Sequence, residues 1–593
     1  MRIFLIFCSL LSLSLASWAQ TNTYTVSFDN AVHHQANITA HFPNIKQAQV
    51  VVRMPRTSPG RYALHEFAKN VYEVNAVNGK GEALSIRRED PYSWTISGHD
   101  GTVTVSYTLF ANRADGTYSQ INTAHAHLNM PATFMYLEST EARPIEIEFD
   151  LPKDSQWKVA TQLKKISDTR YSAPDLYYFL DSPTELSNFK ERSFTVDGQT
   201  IAFVLHGPDT QADLDQYWKQ VQALVLQEKA VFGSLPNFDY GRYTFLACYD
   251  PNVSGDGMEH RNSTILTTSR TLAGGGMQRN LGTVAHEFFH SWNVERIRPA
   301  DLEPFDFTAA NMSASLWFAE GFTSYYTNLM LRRAQIITDS TYAQRLNGTF
   351  NYVWNSPARD FFNPIEMSYQ APFVDAATSV DPVNRGNTFI SYYSYGSMLG
   401  LALDLSLRQK GLDLDTYFRK VWEKHGQNEV AYTVNDLEQV LADYAGNAFA
   451  KAYFDSYIYK SGMPDYDGLF KTVGLRLERN DNTPFSGLRL TETATGLQIA
   501  ATTTLHTPAY KAMLDKGDII TAIDDQELMT KAAYEQWLEG KKPGDKVLVR
   551  YTRFGETQET TLTLTSDPTY SIALDPNPSK AALEARKAWL GKK

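Results

Sequence analysis

The sequence predicts a multidomain α+β protein, and three observations carry that expectation. Its 593 residues exceed what one hydrophobic core usually organises. Hydrophobic residues make up 43% and aromatics 13%, with 33 Tyr and 32 Phe, which is ample for packed cores and argues against a disordered or fibrous chain. The hydrophobic pattern also changes along the chain, from alternation to helical spacing and back to alternation.

The first element, "MRIFLIFCSLLSLSLASWAQ", joins one basic residue, Arg2, to an apolar run and then to Ser17 and Ala19 at a spacing that suits a signal peptidase. Residues 1–19 are therefore expected to be a signal peptide, the run being shorter than the roughly 20 residues a spanning helix needs. Cys8 falls inside that run and leaves Cys248 alone in the mature chain. An exported protein without an internal disulfide suits a periplasm, with secretion as the alternative. Cys248, in "YTFLACYD", reads as a buried strand residue.

Residues 20–205 carry short alternating runs such as "YTVSFD", "AQVVVRMP" and "TVTVSYTLF" between Gly, Pro, Asn and Asp, and predict a β-rich domain. Helical spacing begins at "TQADLDQYWKQVQALVLQEKAVFG" and returns in "ASLWFAEGFTSYYTNLMLRRAQ", "YGSMLGLALDLSLRQKG" and "TVNDLEQVLADYAG", so 206–466 is expected to be mainly helical. Strands return over 467–567. There Pro508-Ala509, Lys516-Gly517-Asp518 before an Ile-rich strand, and Pro543-Gly544-Asp545 before another resemble a PDZ domain. Two Gly-Leu pairs, Gly487-Leu488 and Gly496-Leu497, are both candidates for its carboxylate loop. Residues 568–593 read as a tail with a short amphipathic helix.

The chain carries 55 basic and 66 acidic residues, a formal net charge of -11, without a basic stripe. Nucleic acid is excluded as an expected partner.

Chemistry concentrates in "TVAHEFFHSWN". On a helix His286 and His290 lie one turn apart on one face and can meet a single cation. Glu287, rotated about 100° from His286, is off the ligand pair yet close enough to act as a base on a water. This is the H-E-x-x-H pattern of zinc peptidases. A catalytic zinc takes a third protein ligand, for which Glu295, Glu303 and Glu320 are candidates. Glu295 faces away if the helix continues and Glu303 sits in a loop. Glu320, in "LWFAEGFTSYY" between Ala319 and Gly321, is favoured over the structural alternative of a buried glutamate paired with Arg296 or Arg298.

Upstream, "GDGMEHRNS" offers an extended edge in which Glu259, with Gly257 and Met258, could hold a peptide's free α-ammonium. A tyrosine of "SYYSYGSMLG" could donate its hydroxyl to an oxyanion. The pair His125 and His127 in "HAHLN" shares one strand face, but no third ligand is evident from the sequence.

Together "HEFFHSWNVERIRP", "LWFAEGFTSYY", "GMEH", "YYSYG", the N-terminal "SPGRYALHEFAKNV" and the PDZ-like unit resemble the PDZ-containing glycyl aminopeptidases, zinc metallopeptidases of the gluzincin type. The resemblance implies a thermolysin-like catalytic domain, zinc held by His286, His290 and Glu320, Glu287 as general base, Tyr393 as oxyanion donor and Glu259 as amine anchor. It also implies small first residues, Gly or Ala, in peptides with a free N-terminus. Three departures stand out: His260 stands where related aminopeptidases carry Asn, Tyr395 replaces the family's Lys, and 29 residues separate His290 from Glu320, more than in the broader aminopeptidase group. Two other functions compete with this one, a zinc endopeptidase and a non-catalytic protein that captures peptides or C-termini through the PDZ-like unit.

Overall fold

The computed structural model describes residues 20–374, 381 and 383–593. The expected signal peptide lies outside them. The chain forms two compact units, one running to Met312 and including Phe418–Thr433 and Lys593, the other made of Ser313–Tyr417 and Val434–Lys592. No helix among the described residues is long and apolar enough to cross a membrane.

The first unit opens on the expected β-rich region. Its seven-stranded sheet places Asn22–Ser27 between Ile145–Asp150, which is parallel to it, and Gln35–Phe42, which is antiparallel. Alternation sets the faces: Tyr24 and Val26 are buried at every second position, as are Ala36, Ile38, Ala40 and Phe42 on the partner strand. Two four-stranded sheets complete this region.

A five-stranded sheet follows, in the order Lys190–Val196, Gln199–His206, Arg242–Tyr249, Ser263–Thr268, Asp256–His260. Its three middle strands are parallel, and Asp256–His260 closes one edge antiparallel. The boundary expected at residue 205 therefore falls inside one sheet. The change of period marks where a helix begins, whereas the strands before it pair with strands after it. That helix is Gln211–Phe232. Thr210 and Asp213 form a reciprocal capping box at its start, and Gly233 at φ 89° ends it. Cys248 is buried in the central strand, as expected.

The second unit contains the helices read from the sequence, Leu316–Ala319, Gly321–Arg333, Tyr392–Gln409 and Val434–Ala445, and a further one, Asp339–Trp354, that the sequence reading did not single out. Its C-terminal part is a five-stranded antiparallel sheet with Leu490–Thr493 at one edge and the helix Lys531–Glu539 packed near that edge. Gly487-Leu488 lies just before the edge strand, where Tyr534 of the helix donates to Ser486 Oγ at 2.6 Å. Gly496-Leu497 opens the inner strand Gly496–Ile499 instead. The carboxylate-loop position thus belongs to Gly487-Leu488.

The segment expected as a tail is packed structure. Tyr570–Leu574 pairs with Leu475–Arg479, and the helix Lys580–Leu590 buries Trp589, whose indole N–H donates to Tyr325 Oη at 2.9 Å. Beside it, three asparagines four residues apart read an extended backbone. Asn347 bonds both polar groups of Ile572, Asn351 both of Tyr570, and Asn355 the carbonyl of Pro568.

Candidate metal centre

The helix Leu281–Phe289 buries Leu281, Val284, Ala285, Glu287, Phe288 and Phe289, with His286 half-buried and His290 as its C-terminal cap. The helix stops there. Nδ1–H of His290 donates to the carbonyl of Asn293 at 2.5 Å, so the lone pair is left on Nε2, the arrangement a metal-ligating imidazole needs. The His286 and His290 rings stand 4.7 Å apart at 83°. Nearly perpendicular planes intersect, so one cation can lie in both, and the pair fits a metal.

The edge strand Asp256–His260 packs against this helix. Glu259, Glu287 and His290, all buried, each bring a carboxylate oxygen or ring nitrogen within 4.8 Å of the others. The approach is as close as backbone allows: a Cβ at Gly257 would stand 2.2 Å from Glu287 Oε1 and 2.7 Å from Thr283 Cγ2. A larger residue at 257 would push the Glu287 carboxylate aside, a contact that the sequence context did not reveal. Met258 is 1% exposed. His260 ties the end of the strand to Asp181, its Nδ1 lying 2.8 Å from Asp181 Oδ1.

Two loops of the N-terminal region cover the strand. Gly60, at φ 74°, would carry a Cβ 2.3 Å from Met258 Sδ and 3.1 Å from Glu259 Oε1, and Arg61 beside it pairs with Asp256. Asp256 also accepts from the Gly116 N–H at 2.9 Å. Glu295, set aside on the premise of a continuing helix, lies in the turns after His290. Burial and then the Asp181 carboxylate push its pKa up to about 7 against the pull of Arg298, and Glu259 adds to the rise. It is a buried acid beside Glu259 that is not among the candidate metal ligands.

The competing assignments dissolve in local contacts. Arg296 donates to the carbonyls of Arg261 and Ser291 at 2.7 and 3.0 Å and to Asn262 Oδ1 at 2.9 Å. Arg298 pairs with Glu303 and donates to Tyr177 Oη.

In the second unit Glu320 stands at the junction of Leu316–Ala319 and Gly321–Arg333 and is 2% exposed. The helix Tyr392–Gln409 crosses this junction at glycine contacts: a Cβ at Gly321 would lie 2.4 Å from Gly396 Cα, and one at Gly396 only 1.9 Å from the Trp317 carbonyl oxygen. Gly321, beside Glu320, thus admits a close helix. Tyr393, in the first turn of that helix, is half-buried and stacks on Tyr392 at 4.9 Å. Tyr395 is buried edge-on to Trp354, and burial raises its hydroxyl to about 12, so it serves the core.

The pair His125 and His127 gains partners the sequence hid. Glu185, directly across the sheet from His127, lies 3.3 Å from His125 Nδ1 and 3.5 Å from His127 Nδ1, and His206 and Cys248 gather at the same point. The rings of His125 and His206 are stacked 4.1 Å apart at 4°. Parallel planes share no in-plane point, so these two rings cannot both direct a lone pair at one ion as they stand. The cluster is a buried carboxylate bridged by imidazoles.

The sequence matches the family models described as Peptidase M61 N-terminal domain over residues 23–188, M61 glycyl aminopeptidase over 279–399 and PDZ domain over 472–564. Among solved structures the chain is similar to an aminopeptidase N family protein from Idiomarina loihiensis, with TM-score 0.82, 22% identity, and coverage of 96% of this chain and 100% of that one. It also matches, at TM-score 0.44 and 12% identity, an M1 zinc metallopeptidase from Deinococcus radiodurans bound to a Tyr-Ser-Ala substrate, over 75% of this chain and 95% of that one. No curated protein matches the sequence. The former likeness bears on the fold, in which a β-rich domain, a peptidase domain and a PDZ domain follow one another. With its H-E-x-x-H helix and glutamate-bearing edge strand side by side, the chain belongs to the PDZ-containing M61 glycyl aminopeptidase family of zinc metallopeptidases.

Proposed function

We propose that the protein is an exported aminopeptidase that removes a small first residue, Gly or Ala, from peptides with a free N-terminus. His286 and His290 are assigned as zinc ligands, with Glu320 as the third on the family pattern. When bound, zinc supplies the Lewis acidity that acidifies a water and polarises the scissile carbonyl. Glu287 takes the proton of the attacking water and passes it to the leaving amine. Tyr393 donates its hydroxyl to the developing oxyanion. Glu259 holds the α-ammonium and so limits cleavage to the first bond.

The observation that carries this reading is the contact at Gly257, which sets the amine-binding strand against the base with room for nothing larger than hydrogen. Glu259, two residues along that strand, brings its carboxylate within 4.8 Å of that of Glu287 and of a ring nitrogen of His290, where an anchored α-ammonium confines cleavage to the first bond. The PDZ unit is assigned peptide capture by strand addition along its edge Leu490–Thr493.

The test joins metal analysis to hydrolysis of Gly- and Ala-p-nitroanilide. Glu287→Gln should retain zinc and lose about 10²- to 10⁴-fold in kcat, and Glu320→Ala should lose the metal. Peptides acetylated at the N-terminus should stay intact. Full turnover by Glu287→Gln, or cutting of blocked peptides, would refute the reading. Export is tested separately by fractionation: the mature chain should begin after Ala19 outside the cytoplasm.

A further inference from the structure

A cavity of about 340 Å³ opens in the first unit beyond Gly257, on the side away from Glu259. It is lined by Gly257 and Thr283, the residues that meet beside Glu287, and further on by Asp256, Asn280, Arg270 and Arg279. Along the strand the order runs from the amine anchor Glu259, past Gly257 at the base, to Gly255 at the cavity. Along the helical path the same order is Glu287, Thr283, Arg279, each four residues apart, with Asn280 in helical geometry between the short helix Met277–Arg279 and the helix Leu281–Phe289. A substrate whose ammonium sits at Glu259 and whose scissile bond sits at Glu287 therefore sends its leaving portion into this cavity.

The cavity is cationic in a chain of net charge -11. Neither Arg270 nor Arg279 forms an ion pair among the described residues; Arg270 donates to Asn280 Oδ1 at 3.4 Å. The one carboxylate in the lining, Asp256, is committed to Arg61 and to the Gly116 N–H. The site thus has two poles, the carboxylates of Glu259 and Glu295 at one end and two uncommitted guanidinium groups at the other. Free short peptides carry the complementary pair of charges.

Resting on the aminopeptidase reading above, we propose that Arg270 and Arg279 bind the C-terminal α-carboxylate of the substrate, which makes this enzyme selective for free oligopeptides of about three to five residues. Eight residues of helix separate Glu287 from Arg279 by about 12 Å, and an extended peptide advances about 3.3 Å per residue. With the reach of the arginine side chains, the carboxylate falls two to four residues past the scissile bond. Guanidinium groups suit this ligand because their forked donors match a carboxylate.

The test compares Ala-Ala-Ala-Ala with its C-terminal amide on the zinc-loaded full chain. Wild type should show a KM for the free acid at least tenfold below that for the amide. In Arg270→Gln and Arg279→Gln that ratio should fall to within twofold of unity, and Arg279→Lys should restore part of it. Equal KM values for acid and amide in wild type, or an unchanged ratio in both Gln variants, would overturn the proposal while leaving the aminopeptidase reading intact. An Ala-Ala-Ala-Glu amide that matches the free acid would overturn it in favour of an acidic side chain. Failure to cut either tetrapeptide or Ala-p-nitroanilide would instead remove the reading on which it rests.

Discussion

Glu185 shows how much one buried side chain can hold. Its burial alone would raise its pKa, yet His125, His127 and His206 outweigh that and hold the carboxyl far below its usual range. A depressed carboxylate contributes stability that is complete above its unfolded value near 4.3 and is lost as the pH falls further. His127 is shifted the opposite way: burial lowers it, but its bond and charge interaction with Glu185 raise it overall, so its contribution is present below about 6.5 and fades as pH rises through the folded value. Glu185 and His127 therefore reinforce one another between about pH 4.5 and 6.5, opposed by His206, which burial pushes down and which costs stability as the pH falls below about 6.5. Glu185→Gln should cost about 3–5 kcal/mol in urea unfolding at pH 6, and the loss should shrink at pH 3. An equal loss at both values would contradict the ion-pair account. None of this was legible residue by residue, because Glu185, His206 and Cys248 reach His125 only through strand register across long stretches of sequence. By contrast, His286, Glu287 and His290 needed only the helical repeat. The angular argument against Glu295 assumed a helix that His290 in fact ends, although Glu295 joins no metal-ligating group among the described residues.

Among elements, helices with full turns of apolar spacing and clear caps were read well, as the Thr210–Asp213 box and Gly233 illustrate. Edges and crossings were read less well, since they depend on what another segment brings. The crossing at Gly321 and Gly396 is the sharpest case. Gly396→Ala places a methyl carbon 1.9 Å from the Trp317 carbonyl oxygen, a separation no rotamer can relieve. The helix bearing Tyr393 must move off the segment bearing Glu320. The expected result is a loss of at least about 2 kcal/mol in stability together with a fall in kcat larger than any change in KM. Gly348→Ala, in the same unit but facing open space, serves as the control and should be nearly silent.

For the whole molecule, two successive changes of hydrophobic period announced the domain order, but they placed one boundary inside a sheet and treated the last 26 residues as an appendage. Composition cannot say that Trp589 lies 0% exposed among helices from the middle of the chain, with Arg333 donating to its carbonyl at 3.3 Å. Trp589→Ala should cost about 3–5 kcal/mol and lower the thermal midpoint; an unchanged midpoint would mean that the C-terminal helix is dispensable.

The asparagine rungs between the helix Asp339–Trp354 and the strand beside it behave like a vernier. Four helical residues advance about 6.0 Å and two strand residues about 6.6–6.8 Å, so each further rung slips by roughly 0.7 Å. Three rungs stay within hydrogen-bond tolerance. A fourth would not, and so the meeting of two incommensurate repeats sets the length of this seam.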